Sequence, residues 1–197
     1  ITPAAGGAAR QLTRLGVSGV TGLQWVPDGS ALQFSLNEGA ATDEGSYGAT
    51  DIYRVRLDGT TTRLTNDGFN YANAGFSLDG RWMIYVRSFG TQMIVDQKLT
   101  HGGPTDIYIQ PSGLGTPRNL TADWDLDPGA IRWSPDSKYL YFTAGIGGGT
   151  HLFRVAASGG PVEQITRGER RLNGLDFDGA FQRITYTVGE FDRPADV

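Results

Sequence analysis

Trp133-Ser-Pro-Asp-Ser-Lys-Tyr-Leu-Tyr-Phe142 has three counterparts in the chain, and their alignment decides the fold. They are Trp25-Val-Pro-Asp-Gly-Ser-Ala-Leu-Gln-Phe34, Phe76-Ser-Leu-Asp-Gly-Arg-Trp-Met-Ile-Tyr85 and Phe177-Asp-Gly-Ala-Phe-Gln-Arg-Ile-Thr-Tyr186. All four align without gaps: an aromatic residue, a polar turn, an apolar residue seven on and an aromatic nine on. The anchors Trp25, Phe76, Trp133 and Phe177 are 51, 57 and 44 residues apart. A second landmark follows each, as Asp51-Ile-Tyr53, Asp106-Ile-Tyr108, His151-Leu-Phe153 and Asp196-Val197, spaced by 55, 45 and 45. A third closes each unit, as Leu12-Thr13, Leu64-Thr65, Leu120-Thr121 and Ile165-Thr166, spaced by 52, 56 and 45. Three landmarks sharing one period define an internal repeat.

Each unit holds four short strand candidates. The first runs into the aromatic anchor, as Gly22 to Trp25. The second follows the turn, as Ala31 to Leu36 or Trp82 to Arg87. The third is Ile52 to Val55 with twins at Ile107 and Leu152, and the fourth ends at Leu-Thr. The Pro-Asp-Gly turn suits this: Pro presets φ, and Asp and Gly tolerate the remaining angles. Four strands per unit of ~40–50 residues predict a β-propeller blade. An α-solenoid of similar period fails, because no stretch has 3.6-residue periodicity and Gly and Pro interrupt every window. The fourth unit has Ala180 where the others have Asp28, Asp79 and Asp136, which predicts a different turn there.

The expected fold is all-β: a partial β-propeller of about four blades' worth of four-stranded antiparallel sheets, in one domain over residues 1–197. Residues 1–13 form the end of a blade, 17–65, 69–121 and 126–166 are full blades, and 171–197 start another. Residues 1–13 align without a gap on residues 154–166, which places Ile1 inside a third strand. The expectation is therefore a portion of a longer protein, with a four-bladed ring closed by its own ends as the alternative. Cut blade faces would expose apolar surface. The remaining blades, or self-association of two copies, would cover them.

Composition narrows the classes. The 197 residues include 29 Gly, about twice the usual share, and no collagen period. There is no Cys, so disulfide scaffolds and Cys-ligated zinc are excluded. A formal charge of −4 argues against electrostatic nucleic-acid binding. No apolar run approaches the ~18 residues of a membrane helix.

The repeated aromatic-Ser-Pro-Asp-Gly, Asp-Ile-Tyr and Leu-Thr signatures resemble blades of TolB-like propellers and of prolyl-oligopeptidase-family serine peptidases. Leu175 to Asp178, Ile184 to Val188 and Arg193-Pro-Ala-Asp-Val197 resemble the closing blade of acylaminoacyl-peptidase-like members, with Pro194 and Asp196 matching the segment before the hydrolase domain. The resemblance implies a two-domain enzyme. An α/β-hydrolase domain would carry a Ser-Asp-His triad, and the propeller would gate the peptides that reach it. That domain is absent from these residues, so no catalytic residue is assigned to this chain. The expected partners are the hydrolase domain, the remaining blades and peptide substrates. The runner-up is a TolB-like protein-binding propeller of the bacterial envelope. The expected location is the cytoplasm, with the periplasm as the alternative.

Candidate chemistry is sparse. A nucleophile elbow needs Gly-x-Ser-x-Gly. The nearest segment, Ala156-Ala-Ser158-Gly-Gly160, has Ala5 at the Ser position of its repeat twin and reads as a hairpin loop. His151 takes the place of Asp51 and Asp106, which suits a strand edge. His101 lies in a long inter-strand loop, and neither histidine has an assignable orienting Asp. Asp123, Asp125 and Asp127 imitate the start of a calcium loop, but no Gly stands at position 6, and Ser134 replaces the Glu at position 12. Gly145 to Gly149 lacks the following helix that a phosphate loop needs. No cofactor or metal is expected. The loops 37–50, with Asp43 and Glu44, and 88–105 exceed hairpin length and read as rim loops. Trp25, Phe76, Trp133 and Phe177 recur at one blade position, which predicts inter-blade core.

Overall fold

The computed structural model describes residues 1–16, 19–37, 48–190 and 193–196. Its strands form antiparallel sheets in chain order. β1 (Thr21–Trp25), β2 (Ala31–Asn37), β3 (Thr50–Arg56) and β4 (Thr61–Arg63) make the first. β5 (Phe69–Phe76), β6 (Trp82–Phe89), β7 (Asp106–Pro111) and β8 (Arg118–Asn119) make the second. β9 (Gly129–Trp133), β10 (Tyr139–Ile146), β11 (Gly149–Ala156) and β12 (Glu163–Gln164) make the third. β13 (Arg171–Phe177), β14 (Ile184–Glu190) and β15 (Arg193–Asp196) follow. They join the third set through one parallel pair, Thr150 with Arg171. The sequence reads this last unit as a separate sheet; the junction is one residue deep, because Thr150 N–H reaches the Arg170 carbonyl at 3.1 Å. The fold is a partial β-propeller.

Contacts divide the chain into two compact units: residues 1–76 with 87–103, and 77–86 with 104–197. In the first, Leu32, Phe34 and Leu36 of β2 pack with Tyr53 and Val55 of β3, and Leu12 and Leu15 lie against them. In the second, Ile107, Ile109, Leu140, Phe142, Phe153 and Val155 form the core, with Trp124 set edge-on to Phe142 and Phe153 at 5.3 Å each. The alternation of these residues along their strands puts one apolar face inward.

No strand is assigned among the described residues before Thr21, although the repeat places strands over 1–13. The hairpin geometry is nevertheless present. Arg10 N–H donates to the Ile1 carbonyl at 2.8 Å, and the Ile1 ammonium donates to the Arg10 carbonyl at 2.6 Å. Their twins Arg154 and Glu163 pair in β11 and β12. The turns match too: Gly6 N–H to Pro3 O and Gly159 N–H to Ala156 O, each 2.9 Å. One bonded pair is too short to count as a strand.

Three devices recur at fixed positions. The first ties the fourth strand to the third. The Thr65 hydroxyl accepts the Ile52 N–H at 3.0 Å and donates to the buried Asp51 carboxylate at 2.6 Å. Thr121 does the same with Ile107 N–H at 3.0 Å and Asp106 at 2.7 Å. Thr166 accepts Leu152 N–H at 2.9 Å, and its hydroxyl stands 3.4 Å from His151 Nδ1.

The second device is the turn after the aromatic anchor. Gly29, Gly80, Ser137 and Phe181 all have positive φ, between 56° and 71°. Each donates its N–H back three residues, to Val26, Ser77, Ser134 and Asp178. The fourth turn is therefore the same turn, not the different one that Ala180 suggested. Asp178 supplies the carboxylate that Ala180 lacks, accepting N–H groups from Gln182 at 2.7 Å and Arg183 at 3.1 Å.

The third device is a bulge in each inner strand, three residues before the anchor. Gly22, Asn73, Ala130 and Gly174 have φ of 63°, 51°, 48° and 61°. The strand register slips at this point in the first, third and fourth units. A left-handed residue at the inserted position is the pattern of the G1 type of bulge, in which glycine is usual.

Two substitutions test these devices. Thr121→Val, isosteric but without the hydroxyl, leaves a buried carboxylate and a backbone N–H short of partners and is expected to cost about 2 kcal/mol in urea unfolding; Thr121→Ser is expected to cost less. Ala130→Gly relieves a Cβ in left-handed backbone and is expected to stabilise by about 0.5–1 kcal/mol, the reverse of an ordinary Ala→Gly exchange.

Candidate functional site

The residues with catalytic potential are scattered over structural positions. Ser158 is exposed in the β11–β12 turn, whose carbonyls at Ala157 and Ser158 accept the Arg118 guanidinium. His101 is exposed, and its Nδ1 accepts the Gly103 N–H at 3.0 Å. His151 is buried within β11, only 4 % exposed, facing Thr166 rather than a carboxylate. Asp123, Asp125 and Asp127 are all exposed. Among the described residues no group of three or more His, Asp or Glu side chains is gathered to hold a metal. Gly147 and Gly148, with φ of 58° and 81°, form the two-residue turn of the β10–β11 hairpin.

Of the long loops, residues 38–47, with Asp43 and Glu44, lie outside the described residues. The loop 88–105 is shorter than the sequence implies. β6 runs on to Phe89, and a one-and-a-half-turn helix, α1 (Thr91–Asp96), occupies part of the rest. None of the described helices is long and apolar enough to cross a membrane.

Shifted titrations often mark a functional cleft. Here the shifted carboxylates sit in exposed turns. Asp28 is lowered chiefly by the Ser30 N–H, Asp58 by the Thr60 N–H and Asp136 by the Ser134 hydroxyl. Asp79 falls furthest, from 3.8 to about 2, first through the Ser77 hydroxyl and then through the Arg81 N–H. These groups hold turns together; they are not an acid–base pair.

Two concave sites stand out among the described residues. One, in the second unit, is a cleft of about 550 Å³ between the segment Asn119–Trp124 and the segment Gly159–Val162. The other, in the first unit, is an apolar groove of about 440 Å³. Leu12, Leu15, Leu23, Trp25, Leu32 and Phe34 line it. Trp25 is 50 % exposed among the described residues, on a face that this portion of the repeat leaves open. Trp133 and Phe177 do pack as expected, Trp133 on the second unit's core and Phe177 on Tyr141 at 5.2 Å. Among the described residues of the first unit, Leu12, Leu15, Val20 and the residues around Ile1 and Arg10 share the groove with Trp25.

An arginine link escaped the sequence reading. Arg118 donates to the Ala157 carbonyl at 2.7 Å, and Arg10 donates to the Leu57 carbonyl. Both precede a Leu-Thr landmark by two residues and reach the β3–β4 or β11–β12 turn of the following sheet. The signal was present only twice, since Thr62 and Glu163 take that position elsewhere.

No family model matches the chain. The chain is similar to dipeptidyl-peptidase 5 of Porphyromonas gingivalis, 23 % identical over 154 residues, 77 % of this chain and 22 % of the relative. It is also similar to an uncharacterized protein of Agrobacterium fabrum, 28 % identical over 161 residues, 80 % of this chain and 50 % of that one. The chain thus spans between about a fifth and a half of the curated relatives it matches.

Among solved structures it resembles TolB from Acinetobacter baumannii (TM-score 0.58, 21 % identity, 90 % of this chain and 39 % of that one). It resembles the β-propeller domain of the trilobed protease from Pyrococcus furiosus (0.60, 17 %, 88 % and 49 %). It also resembles the acylaminoacyl peptidase of Pyrococcus horikoshii (0.59, 21 %, 88 % and 24 %). The chain carries a propeller of the kind found in TolB and in acylaminoacyl- and prolyl-oligopeptidase-type enzymes.

The turn carboxylates give a test at low pH. Asp79 has a lowered pKa in the fold, so its stabilising contribution is present above about 3.8 and is lost as pH falls towards about 2. Asp79→Asn is expected to lower the melting temperature at pH 7 and to flatten its decline between these values, read by thermal denaturation across pH.

Proposed function

We propose that this chain is a non-catalytic propeller portion of a prolyl-oligopeptidase-family serine peptidase. In this role it gates the access of peptides to an α/β-hydrolase domain that lies outside these residues. The observation that carries the proposal is the 154-residue similarity to a dipeptidyl-peptidase, of which it spans 22 %. A propeller suits a sieve in principle, since a narrow bore between its blades would exclude folded proteins while extended peptides pass. The peptidase reading carries a cytoplasmic location with it.

A second reading rests on the TolB likeness: a protein-binding propeller of the envelope, located in the periplasm. The two part at activity. The polypeptide encoded by the whole reading frame is expected to hydrolyse acyl-alanyl or dipeptidyl chromogenic substrates and to be labelled by a serine-directed fluorophosphonate. Residues 1–197 alone are expected to do neither. A whole polypeptide that shows no hydrolysis and takes up no label overturns the peptidase reading in favour of binding.

A further inference from the structure

Asn173 is the one asparagine of the chain that glycine follows. It stands immediately before the bulge of β13. Asn173 pairs with Thr187 and Asp176 with Thr185, so Gly174 and Leu175 together face the single residue Tyr186. Gly174 has a φ of 61°, and a Cβ built on it would meet nothing within 4 Å. Asn173 and Gly174 are both exposed. The Asn173 backbone carbonyl accepts the Thr187 hydroxyl at 3.3 Å, but among the described residues its side-chain amide makes no hydrogen bond. The equivalent places before the other bulges hold Thr21, Ala72 and Gly129.

We propose that Asn173 is a site of spontaneous deamidation in the folded protein, with water as the co-reactant. The Gly174 backbone nitrogen attacks Asn173 Cγ. The N–Cγ bond forms, the Cγ–Nδ2 bond breaks, and the proton of the attacking nitrogen leaves with the departing ammonia. The resulting succinimide then takes up water at either carbonyl. Opening at Cγ gives aspartate. Opening at the main-chain carbonyl gives isoaspartate, whose main chain runs through Cβ and Cγ. Ammonia is lost, water is gained and nothing is oxidised or reduced. Both products place a carboxylate where a neutral amide stood, and isoaspartate lengthens β13 by a carbon beside the bond to Thr187.

A regular ladder holds the following nitrogen away from the side chain. A glycine without a register partner removes that restraint. Other sites suit the chemistry less. Asn66 and Asn73 are also exposed, but Asp67 and Ala74 follow them, and a Cβ there hinders the approach of the nitrogen. Asn70 is held by the Thr50 N–H and the Phe89 carbonyl, and Asn119 by the Thr121 N–H. The Asp-Gly turns at Asp28, Asp58 and Asp79 can close the same ring. Their carboxylates are bonded and held ionised, however, and an ionised carboxylate is a poor acyl acceptor.

The test keeps the whole polypeptide, folded, in neutral buffer made with heavy-oxygen water. Trypsin then releases residues 172–183 as one fragment, and a synthetic peptide of the same residues is the unstructured reference. Mass spectrometry follows label entering the fragment, and an isoaspartyl methyltransferase marks its rearranged share. The expected rate in the folded protein is within about tenfold of the free peptide's, and at least about tenfold above those at Asn66 and Asn73. A rate so close to the free peptide's does not pass through the globally unfolded state, which is too rare. Asn173→Gln, whose longer side chain closes the ring far less readily, is expected to abolish the uptake.

A slower reaction in the folded protein overturns the proposal, because the strand then shields Asn173. Uptake that persists in Asn173→Gln also overturns it and moves the reaction to Asp178-Gly179 in the same fragment. Uptake without any isoaspartate overturns the succinimide route. None of these outcomes depends on hydrolase activity.

Discussion

A threonine hydroxyl pins the short outer strand of each of the first three sheets, and in two of them it performs a second task at once. The outer strands are only two or three residues long, too short to hold themselves by ladder bonds. Thr65, Thr121 and Thr166 replace the missing ladder by accepting a third-strand N–H. Thr65 and Thr121 also use their proton to satisfy a carboxylate that would otherwise be buried short of a donor. An unsatisfied group of that kind costs more than the bond itself contributes. Asp51 is further paired with Arg63 at 2.5 Å, which balances its charge. With the outer strand pinned, the residue before the threonine is aimed: Leu120 enters the second unit's core, and Arg118, two positions earlier, reaches the next turn.

Local residue preference yields to this frame where the two conflict. The bulge position is occupied by glycine twice, but also by Asn73 and Ala130, all in left-handed backbone. Phe181 likewise takes a turn position that glycine fills in the first two units. Its strain is offset by a stack on Phe177 at 3.9 Å and a contact with Tyr141 at 5.5 Å. The fourth turn therefore keeps its backbone path while its carboxylate moves from the third position to the first. What the repeat preserves is the path of the chain, with several side-chain solutions to each requirement.

The parts legible in the sequence are those where one residue type is nearly obligatory: the aromatic anchor, the turn carboxylate, the Asp and Thr of the latch. These recur often enough to reveal a period. The bulges were invisible because four positions use three residue types. The arginine link occurs in two units of four and carries no period. The helix Thr91–Asp96, at six residues, is shorter than any window in which a helical repeat can be counted. Trp25 is exposed where Trp133 packs on a core, because burial depends on a neighbour as well as on a position. The site was less legible than the fold, for a physical reason: a gating or binding role resides in rim loops and faces, which the repeat does not constrain, and no cluster of reactive groups announces it.

The brevity of the outer strands has a bearing on solubility. A sheet margin offers unpaired N–H and C=O groups that another polypeptide can extend, and long flat margins invite fibrous assembly. Here the outer strands β4, β8 and β12 are two or three residues long, and at Glu163 and Arg63 they bear charge engaged with Arg154 and Asp51. A stranger's backbone would find too few rungs to climb, so many sheets can be set around one another in a crowded cell without becoming templates for polymerisation.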